Sequence, residues 1–325
     1  MRVVELAGGV GGAKLAEGLA AHVGADLTVV VNTGDDVEVT GLAVWPDHDT
    51  VAYTLAGLDD EERGWGLRNE TWAVMDGLAA LTGEDPWFRL GDRDLATHLW
   101  RTDRLRAGIR PTTVALSLRE RLGYGPTILP MSDDPVRTEV LTDDGWLEFQ
   151  EYFVHRHQEP EVREVRFRGI EDARPTPEVL AALDTADVVL IAPSNPIVSI
   201  GPILAVPGLA TALAEARARG VPVIAVSGII GGVALKGPAD RMLTSLGHES
   251  SALGVARVYR GAATGFVLDA VDAHLAPAVE KLGLATHVTD TIMRDDAGRA
   301  RLAGDVLRFA ATVAYHPVVQ RESDP

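Results

Sequence analysis

Two rhythms of hydrophobic and polar residues alternate along this chain. Val3, Val4 and Leu6 form a short apolar run that enters Gly8-Gly9-Val10-Gly11-Gly12-Ala13-Lys14. Beyond it Ala16, Leu19, Ala20 and Val23 recur on one face at helical spacing. Leu27 to Val31 is a near-continuous apolar run broken only by Thr28, the pattern of a parallel strand buried on both faces rather than half of a hairpin. Strand, glycine turn, helix and buried strand make a βαβ unit, with its ligand edge at the strand C-termini. From about 50 to 124 the spacing turns helical, as in Trp72, Met75, Leu78 and Leu81. Between about 127 and 170 the runs Thr138–Leu141 and Trp146–Phe149 flank Asp143-Asp144-Gly145, a hairpin signal.

The α/β rhythm resumes near 176, where Thr176 suits an N-cap and Pro177 the first helical position. A buried strand follows at Val188–Ala192, then a helix near 208–219, a strand at Val221–Val226 and further α/β segments to about 312. Arg321–Pro325 reads as a loose tail. The expected class is α/β, a Rossmann-like parallel sheet with an inserted helical and β-hairpin region. The division is 1–49 for the first part of a nucleotide-binding core, 50–174 for the inserted cap, and 175–325 for the rest of the core.

With 325 residues, 46% of them hydrophobic, the chain can bury a core of two domains or one enlarged one. The formal charge of −17 disfavours a nucleic-acid backbone or an anionic membrane as partner. A phosphate-bearing ligand then needs a local device: backbone N–H groups, a few cations or a metal ion. The absence of cysteine removes disulfides, thiolate nucleophiles and cysteine–zinc sites together. No run approaches the 18 apolar residues of a membrane span, and Glu5 with the glycines interrupts any signal peptide, so a soluble cytoplasmic protein is expected.

The glycine turn supplies the first such device, since it lets N–H groups approach a phosphate that the helix N-terminus also attracts. Gly9, Gly11, Gly12 and Lys14 are therefore candidate substrate-binding residues. The loop departs from both common patterns. Lys14 occupies the third glycine position of the dinucleotide fingerprint, and Ala13 and Leu15 replace the glycine and hydroxyl of a P-loop.

Residues 15–62 contain eleven acids and no Lys or Arg. Asp35 and Asp36 directly follow the buried strand at the ligand edge, and Asp47 and Asp49 follow a short apolar stretch that can return beside them. Carboxylates about 4 Å apart repel by roughly 4 kcal/mol at an effective dielectric of 20, so such a cluster is either solvated or neutralised. Oxygen ligands beside a phosphate loop point to Mg2+, with Asp35 and Asp49 as catalytic and metal-ligating candidates. A rival use exists: Asp35 lies 26 residues after Gly9, near the spacing at which an acid binds the ribose of NAD in a dehydrogenase.

At the end of the second buried strand, Ser194, Asn195 and Ser199 face the same edge, in a loop that Pro193 and Pro196 stiffen. They can meet a phosphate or guanine, or make an Asx-type turn. Lys236 in a glycine-rich turn reads as solvated, His155 and His157 as surface residues alternating on a strand, and Trp65 and Trp72 as core or a stacking surface. The pattern alone assigns no role to Asp133 and Asp134.

Several segments in order resemble one family, the 2-phospho-L-lactate transferases of coenzyme F-420 biosynthesis. They are Gly8–Gly12, Val31-Asn32-Thr33-Gly34-Asp35-Asp36, Pro46-Asp47-His48-Asp49-Thr50, Gly64–Thr71, Leu90–Asp94, Pro130–Pro135 and Ala192–Pro196 with Ser199–Pro202. Arg68–Thr71 and Asp92–His98 are most similar to the actinobacterial branch. The resemblance implies transfer of a phosphoenolpyruvyl or 2-phospho-L-lactyl group from a guanosine diphosphate conjugate to the deazaflavin Fo, with GMP released. It further implies Fo near Asp49 and Arg89, and a homodimer. Two other readings stay open: the NAD-type dehydrogenase, and a non-catalytic nucleotide-sugar-binding regulator of the same fold. The regulators carry Asp-Asp-Gly-Gly-Ser-Ser-Gly after the second strand, where this chain has Asp35-Asp36-Val37-Glu38-Val39-Thr40-Gly41.

Overall fold

A computed structural model describes residues 1–315, so the tail 321–325 lies outside the described residues. Seven parallel strands build the central sheet: β1 (Val3–Ala7), β2 (Leu27–Val31), β5 (Thr127–Pro130), β9 (Val188–Ile191), β10 (Val223–Val226), β13 (Gly265–Asp269) and β14 (Ala285–Thr289). Their order is β14-β13-β10-β9-β1-β2-β5. The chain winds outward from β1 through β2 to β5, and in the other direction from β9 to β14. The order therefore reverses between β1 and β9, and a crevice opens beyond their C-terminal ends. Helices cover both faces, with α1 (Gly9–Val23) against the long helix Asp296–Tyr315 on one of them. This is the expected Rossmann-like α/β core. Among the described residues no helix is long and apolar enough to cross a membrane.

Small elements decorate the core. The hairpin β3 (Val37–Val39) and β4 (Leu42–Val44) leads into α2 (Pro46–Leu55). Then come α3 (Ala73–Thr82), α4 (Asp92–Arg106) and α5 (Pro111–Leu122), the helical insert. The hairpin appears where Asp143-Asp144-Gly145 places it, as β6 (Arg137–Thr142) and β7 (Gly145–Glu148), and β8 (Glu164–Arg168) pairs with β6. A two-stranded turn, β11 (Ile229–Ile230) and β12 (Val233–Ala234), follows β10. Thr176 Oγ accepts from Val179 N at 3.2 Å and caps the helix Pro177–Thr185 as its sequence foretells.

Two expectations need correction. The span 50–174 is not one cap outside the core, because β5 pairs along β2 from Thr28↔Thr127 to Val31↔Pro130. The helical and the β-hairpin insertions are thus separated by a core strand, and α2 crosses the boundary at 49. His155 and His157 are not on a strand: Glu151–His155 forms a π-helical turn, in which Glu151 contacts His155 Nδ1 at 3.0 Å.

Glu5 sits in the middle of β1 with no exposed surface and, among the described residues, no hydrogen-bond partner for either carboxylate oxygen. Burial raises its carboxyl well above the ordinary value. The sign of the linkage follows. A carboxyl raised in the fold holds its proton more tightly there than in the unfolded chain, so stability falls as pH rises from the unfolded value near 4.5 toward the folded one. Glu5→Gln is expected to flatten that part of the stability–pH profile, read by denaturant melts from about pH 4 to 8. A wild-type slope retained in the variant rejects the assignment.

Candidate active site

The crevice at the reversal point is lined by three chain segments. The first is the glycine turn. Gly8 N donates to Ser194 Oγ at 3.2 Å, and Ser194 Oγ donates back to Gly8 O at 2.7 Å, which locks this turn to the loop after β9. Gly9 has φ +63°, a conformation that favours glycine. A Cβ on Gly11 would lie 2.4 Å from Pro193 O, so only glycine allows the two loops this close. Ser199 also crowds the turn, its Cβ within 2.7 Å of where a Cβ on Gly8 would stand.

Asp47 is not among the candidates that the sequence singles out, yet it is the carboxylate that meets the glycine turn. Its Oδ1 accepts from Gly9 N at 2.7 Å and its Oδ2 from Asn32 Nδ2 at 2.9 Å. A charge on the first turn of α1 is the favourable place for an anion. Burial nevertheless pushes the Asp47 carboxyl up to about 6, against the two hydrogen bonds. Asn32 is a second residue missed: its Nδ2 also donates to Val198 O at 3.3 Å, and its Oδ1 accepts from Gly34 N at 2.7 Å. It ties the end of β2 to the loop after β9. Its position directly after an apolar strand is the signal that could have found it.

Asp35 lies beside Asn32 and Thr138, buried, and its Oδ1 has no hydrogen-bond partner among the described residues. Burial first, and then Asp47, raise its carboxyl well above the ordinary range. Asp36 is raised by burial too, with Arg137 and Arg101 opposing and Asp47 and Asp49 adding to the rise. Asp49 behaves differently. Burial alone would raise it, but the Arg101 guanidinium, with His48 and His98, holds it well below the usual carboxylate range. Arg101 Nη2 donates to Asp49 Oδ1, His48 Nδ1 stands 3.2 Å from the same oxygen, and His98 Nδ1 stands 3.7 Å from Oδ2. His98 Nε2 in turn approaches Asp94 Oδ1 at 3.2 Å, which also accepts from Tyr53 Oη at 2.6 Å. Asp94, His98 and Arg101 recur at i, i+4 and i+7 on α4, a polar face legible in the sequence.

The donor atoms of Asp49, Asp94 and His98 all lie within 4.8 Å of one another. Arg101 already brings a fixed positive charge into that group, which makes it an ion-pair network before it is a metal cage. Asp35 Oδ1, after β2, and Asp49 Oδ2, on the side of α2 that faces α4, are both buried and both without a hydrogen-bond partner among the described residues. Anionic oxygens left in this way fit a hard divalent ion. Asp47 already engages both of its oxygens.

Other candidates have structural work. Asn195 Oδ1 accepts from Ile197 N at 2.9 Å and Val198 N at 3.4 Å, the Asx-turn alternative. Arg89 donates to Asp76 at 2.8 Å and Asp85 at 3.1 Å and lies over Trp72, within its own helical insert. No hydrogen bond or salt bridge among the described residues joins it to the carboxylates of the crevice. The motif at Leu90–Asp94 is a joint: Glu70 accepts from Arg93 N at 2.8 Å and Asp94 N at 2.9 Å to cap α4. Asp92 reciprocates by accepting from Ala73 N and Val74 N, each at 3.0 Å, at the start of α3. Asp133 caps α5 by accepting from Thr112 N at 2.7 Å, and Asp134 accepts from Arg174 N at 3.0 Å.

Residues 3–296 match the sequence model of the family described as 2-phospho-L-lactate transferase CofD. A phosphoenolpyruvate transferase of Streptomyces griseus subsp. griseus is 46% identical over 319 residues, covering 96% of this chain and 99% of that protein. Proteins of the same name from Nocardia farcinica and Mycobacterium bovis are 40% and 39% identical, over 95% and 97% of this chain and 95% and 100% of theirs. Among solved structures, a UPF0052-family protein from Bacillus halodurans superposes with a TM-score of 0.60 at 15% identity, covering 94% of this chain and 98% of that one, a likeness of fold alone. The chain belongs to the 2-phospho-L-lactate transferase CofD family and not to the dehydrogenases.

Proposed function

We propose that the protein transfers a phosphoenolpyruvyl or 2-phospho-L-lactyl group from a guanosine diphosphate conjugate to the ribityl hydroxyl of the deazaflavin Fo, releasing GMP and leaving a phosphodiester. The observation that carries this reading is the meeting, at one sheet reversal, of a glycine turn held by Asp47 and a Pro193–Ser199 loop, with Asp35 buried just after β2 and one of its oxygens unpartnered among the described residues. Attack at phosphorus needs charge neutralisation and in-line positioning more than a covalent intermediate.

In this reading the donor diphosphate lies over the first turn of α1, where Val10, Gly11 and Gly12 present N–H groups that no preceding turn satisfies. Ser194 and Ser199 shape the opposite wall. Asp35 and Asp49 would hold Mg2+, and a bound ion would supply charge to offset the phosphates and to acidify the attacking hydroxyl. Asp47 fixes the spacing between α2 and the glycine turn, and Arg101 keeps Asp49 ionised, both without touching substrate. Fo enters from the side of α2 and the α3–α4 insert.

Purified protein with Mg2+, Fo and either donor is expected to yield GMP and a fluorescent deazaflavin phosphodiester in equal amounts, separated by chromatography. Folded, metal-loaded protein that makes no product from either donor would falsify the proposal. Tight donor binding without turnover would favour the regulator.

A further inference from the structure

The sequence holds 27 arginines and only three lysines, Lys14, Lys236 and Lys281. Two of the three line the same pocket. Lys14 projects from α1 one turn beyond the glycine loop, and Lys236 comes from the turn after β12. Thr50 and Thr54 of α2 and Trp65 complete the walls. The loop carrying Trp65 is fitted to Lys236: Gly64 has φ +79°, and a Cβ there would stand 2.5 Å from Lys236 Nζ. Trp65 is 45% exposed, a large apolar surface at the rim.

Two ammonium groups and two carboxylates line this pocket. Among the described residues neither Lys14 nor Lys236 makes a salt bridge, whereas the neighbouring Arg299 pairs with acids. Lys14 has a single hydrogen bond, to Met293 O at 3.4 Å. Two acids also face the pocket. Glu61 is already engaged by Arg299 at 2.7 Å, and Arg299 is further matched by Glu17. Arg299 is shared among Glu61, Glu17 and Asp296, so Asp59 and part of the Glu61 charge face the two ammonium groups. Burial first, and then Arg299 and Lys236, lower the Lys14 ammonium pKa, with Glu61 and Asp59 opposing. Two ammonium groups that converge on one pocket from different elements, neither in a salt bridge among the described residues, can close on a small anion.

We propose that this pocket receives the carboxylate of the three-carbon unit on the donor's terminal phosphate, gripped by Lys14 and Lys236 from two different elements. The inference rests on the transferase reading and adds the part of the substrate that it recognises. Its position argues for a carboxylate rather than a phosphate. The diphosphate has the N–H groups of the glycine turn, and the pocket runs from Val10 in that turn to Lys14, one helical turn or about 5 Å farther along α1. That is the reach of a short acid esterified to the terminal phosphate. Lysine suits this role, because a compact charge on a flexible stem fits a small carboxylate in a narrow pocket, where arginine's planar fork would need more room. Guanosine diphosphate alone lacks the group and should be indifferent to it.

The test compares wild type with Lys236→Met and Lys236→Arg, full-length and Mg2+-loaded, by calorimetry with phosphoenolpyruvate, 2-phospho-L-lactate, inorganic phosphate and guanosine diphosphate. Lys236 is exposed, so both variants are expected to fold, checked by circular dichroism. Lys236→Met should weaken both carboxylate ligands by about tenfold, the loss of one charge-assisted contact. It should leave inorganic phosphate and guanosine diphosphate within twofold, and Lys236→Arg should restore part of the loss. In turnover the donor KM rises while kcat stays within twofold. Equal weakening of guanosine diphosphate would assign the pocket to the nucleotide, and equal weakening of inorganic phosphate would assign it to phosphate. An unchanged phosphoenolpyruvate affinity would leave the lysines without the role. Each of these results overturns the inference even if transfer occurs, whereas absence of product from wild type overturns the transferase reading itself.

Discussion

Asp35→Asn is expected to abolish transfer, by about three orders of magnitude in kcat/KM, while making the metal-free protein more stable. The two effects share one cause. Asp35 is buried, its Oδ1 meets no donor, and its neighbours Asp47 and Asp36 are themselves acids. No arginine acts on it as Arg101 acts on Asp49. Asparagine keeps the shape, removes the charge and so relieves a repulsion of up to roughly 4 kcal/mol for carboxylates about 4 Å apart. An apparent midpoint several degrees higher follows, since about 1 kcal/mol is worth about 2 °C in a chain of this size. The same charge holds Mg2+ in the proposed mechanism, and losing about 4 kcal/mol of transition-state stabilisation costs about a thousandfold in rate. Thermal melts with and without Mg2+ separate the parts. Wild type should gain stability on adding the ion by mass action, and the variant should not. A variant that melts lower than wild type, or that transfers at a near-normal rate, removes Asp35 from the metal site.

Strands with strong apolar runs were legible in the sequence, and so was the crevice they create. Leu27–Val31 and Val188–Ile191 are apolar on both faces because helices cover both sides of the sheet there. β5 was not legible. It is four residues long, ends in Pro130 and lies at the edge of the sheet, where proline costs no ladder hydrogen bond on the open side. Its membership depends on pairing with β2 about a hundred residues earlier, which no local pattern encodes.

The acids at Asp47 and Asp49 show the same limit at the level of the site. Treated as a stretch of chain returning to the sheet edge, they look equivalent. In the structure Pro46 opens α2, and residues two apart on a helix point about 200° apart. Asp47 therefore turns to Gly9 and Asn32, and Asp49 to α4. Which acid caps the glycine turn and which keeps an oxygen free is decided by the start of that helix, not by the spacing of the acids. Asp92 and Glu70 illustrate the opposite case: the family-like wording around them records reciprocal helix capping, so resemblance alone overstates how much of the motif touches substrate.

Arg101→Met is expected to destabilise the protein by about 3–5 kcal/mol, the cost of leaving one member of a buried ion pair uncompensated. Arg101 has no exposed surface. Its guanidinium serves Asp49, His98 Nδ1 at 3.2 Å and Ala43 O at 3.2 Å, and it lies 4.3 Å from the centre of the Trp45 ring. Methionine can fill much of the volume, so the loss reports charge more than packing. The double variant Arg101→Met with Asp49→Asn distinguishes the two. If the stranded Asp49 charge is the main cost, the second substitution recovers most of the loss in a urea-unfolding cycle. If it recovers nothing, the stacking on Trp45 and the bond to Ala43 O carry the stability instead. The link to function then follows from Asp49 itself. A buried carboxyl deprived of its arginine relaxes upward toward the protonated form, and a protonated Asp49 cannot share a cation with Asp35. Arg101→Met should therefore depress turnover even at temperatures where the fold persists, with the donor complex weakened less than the rate.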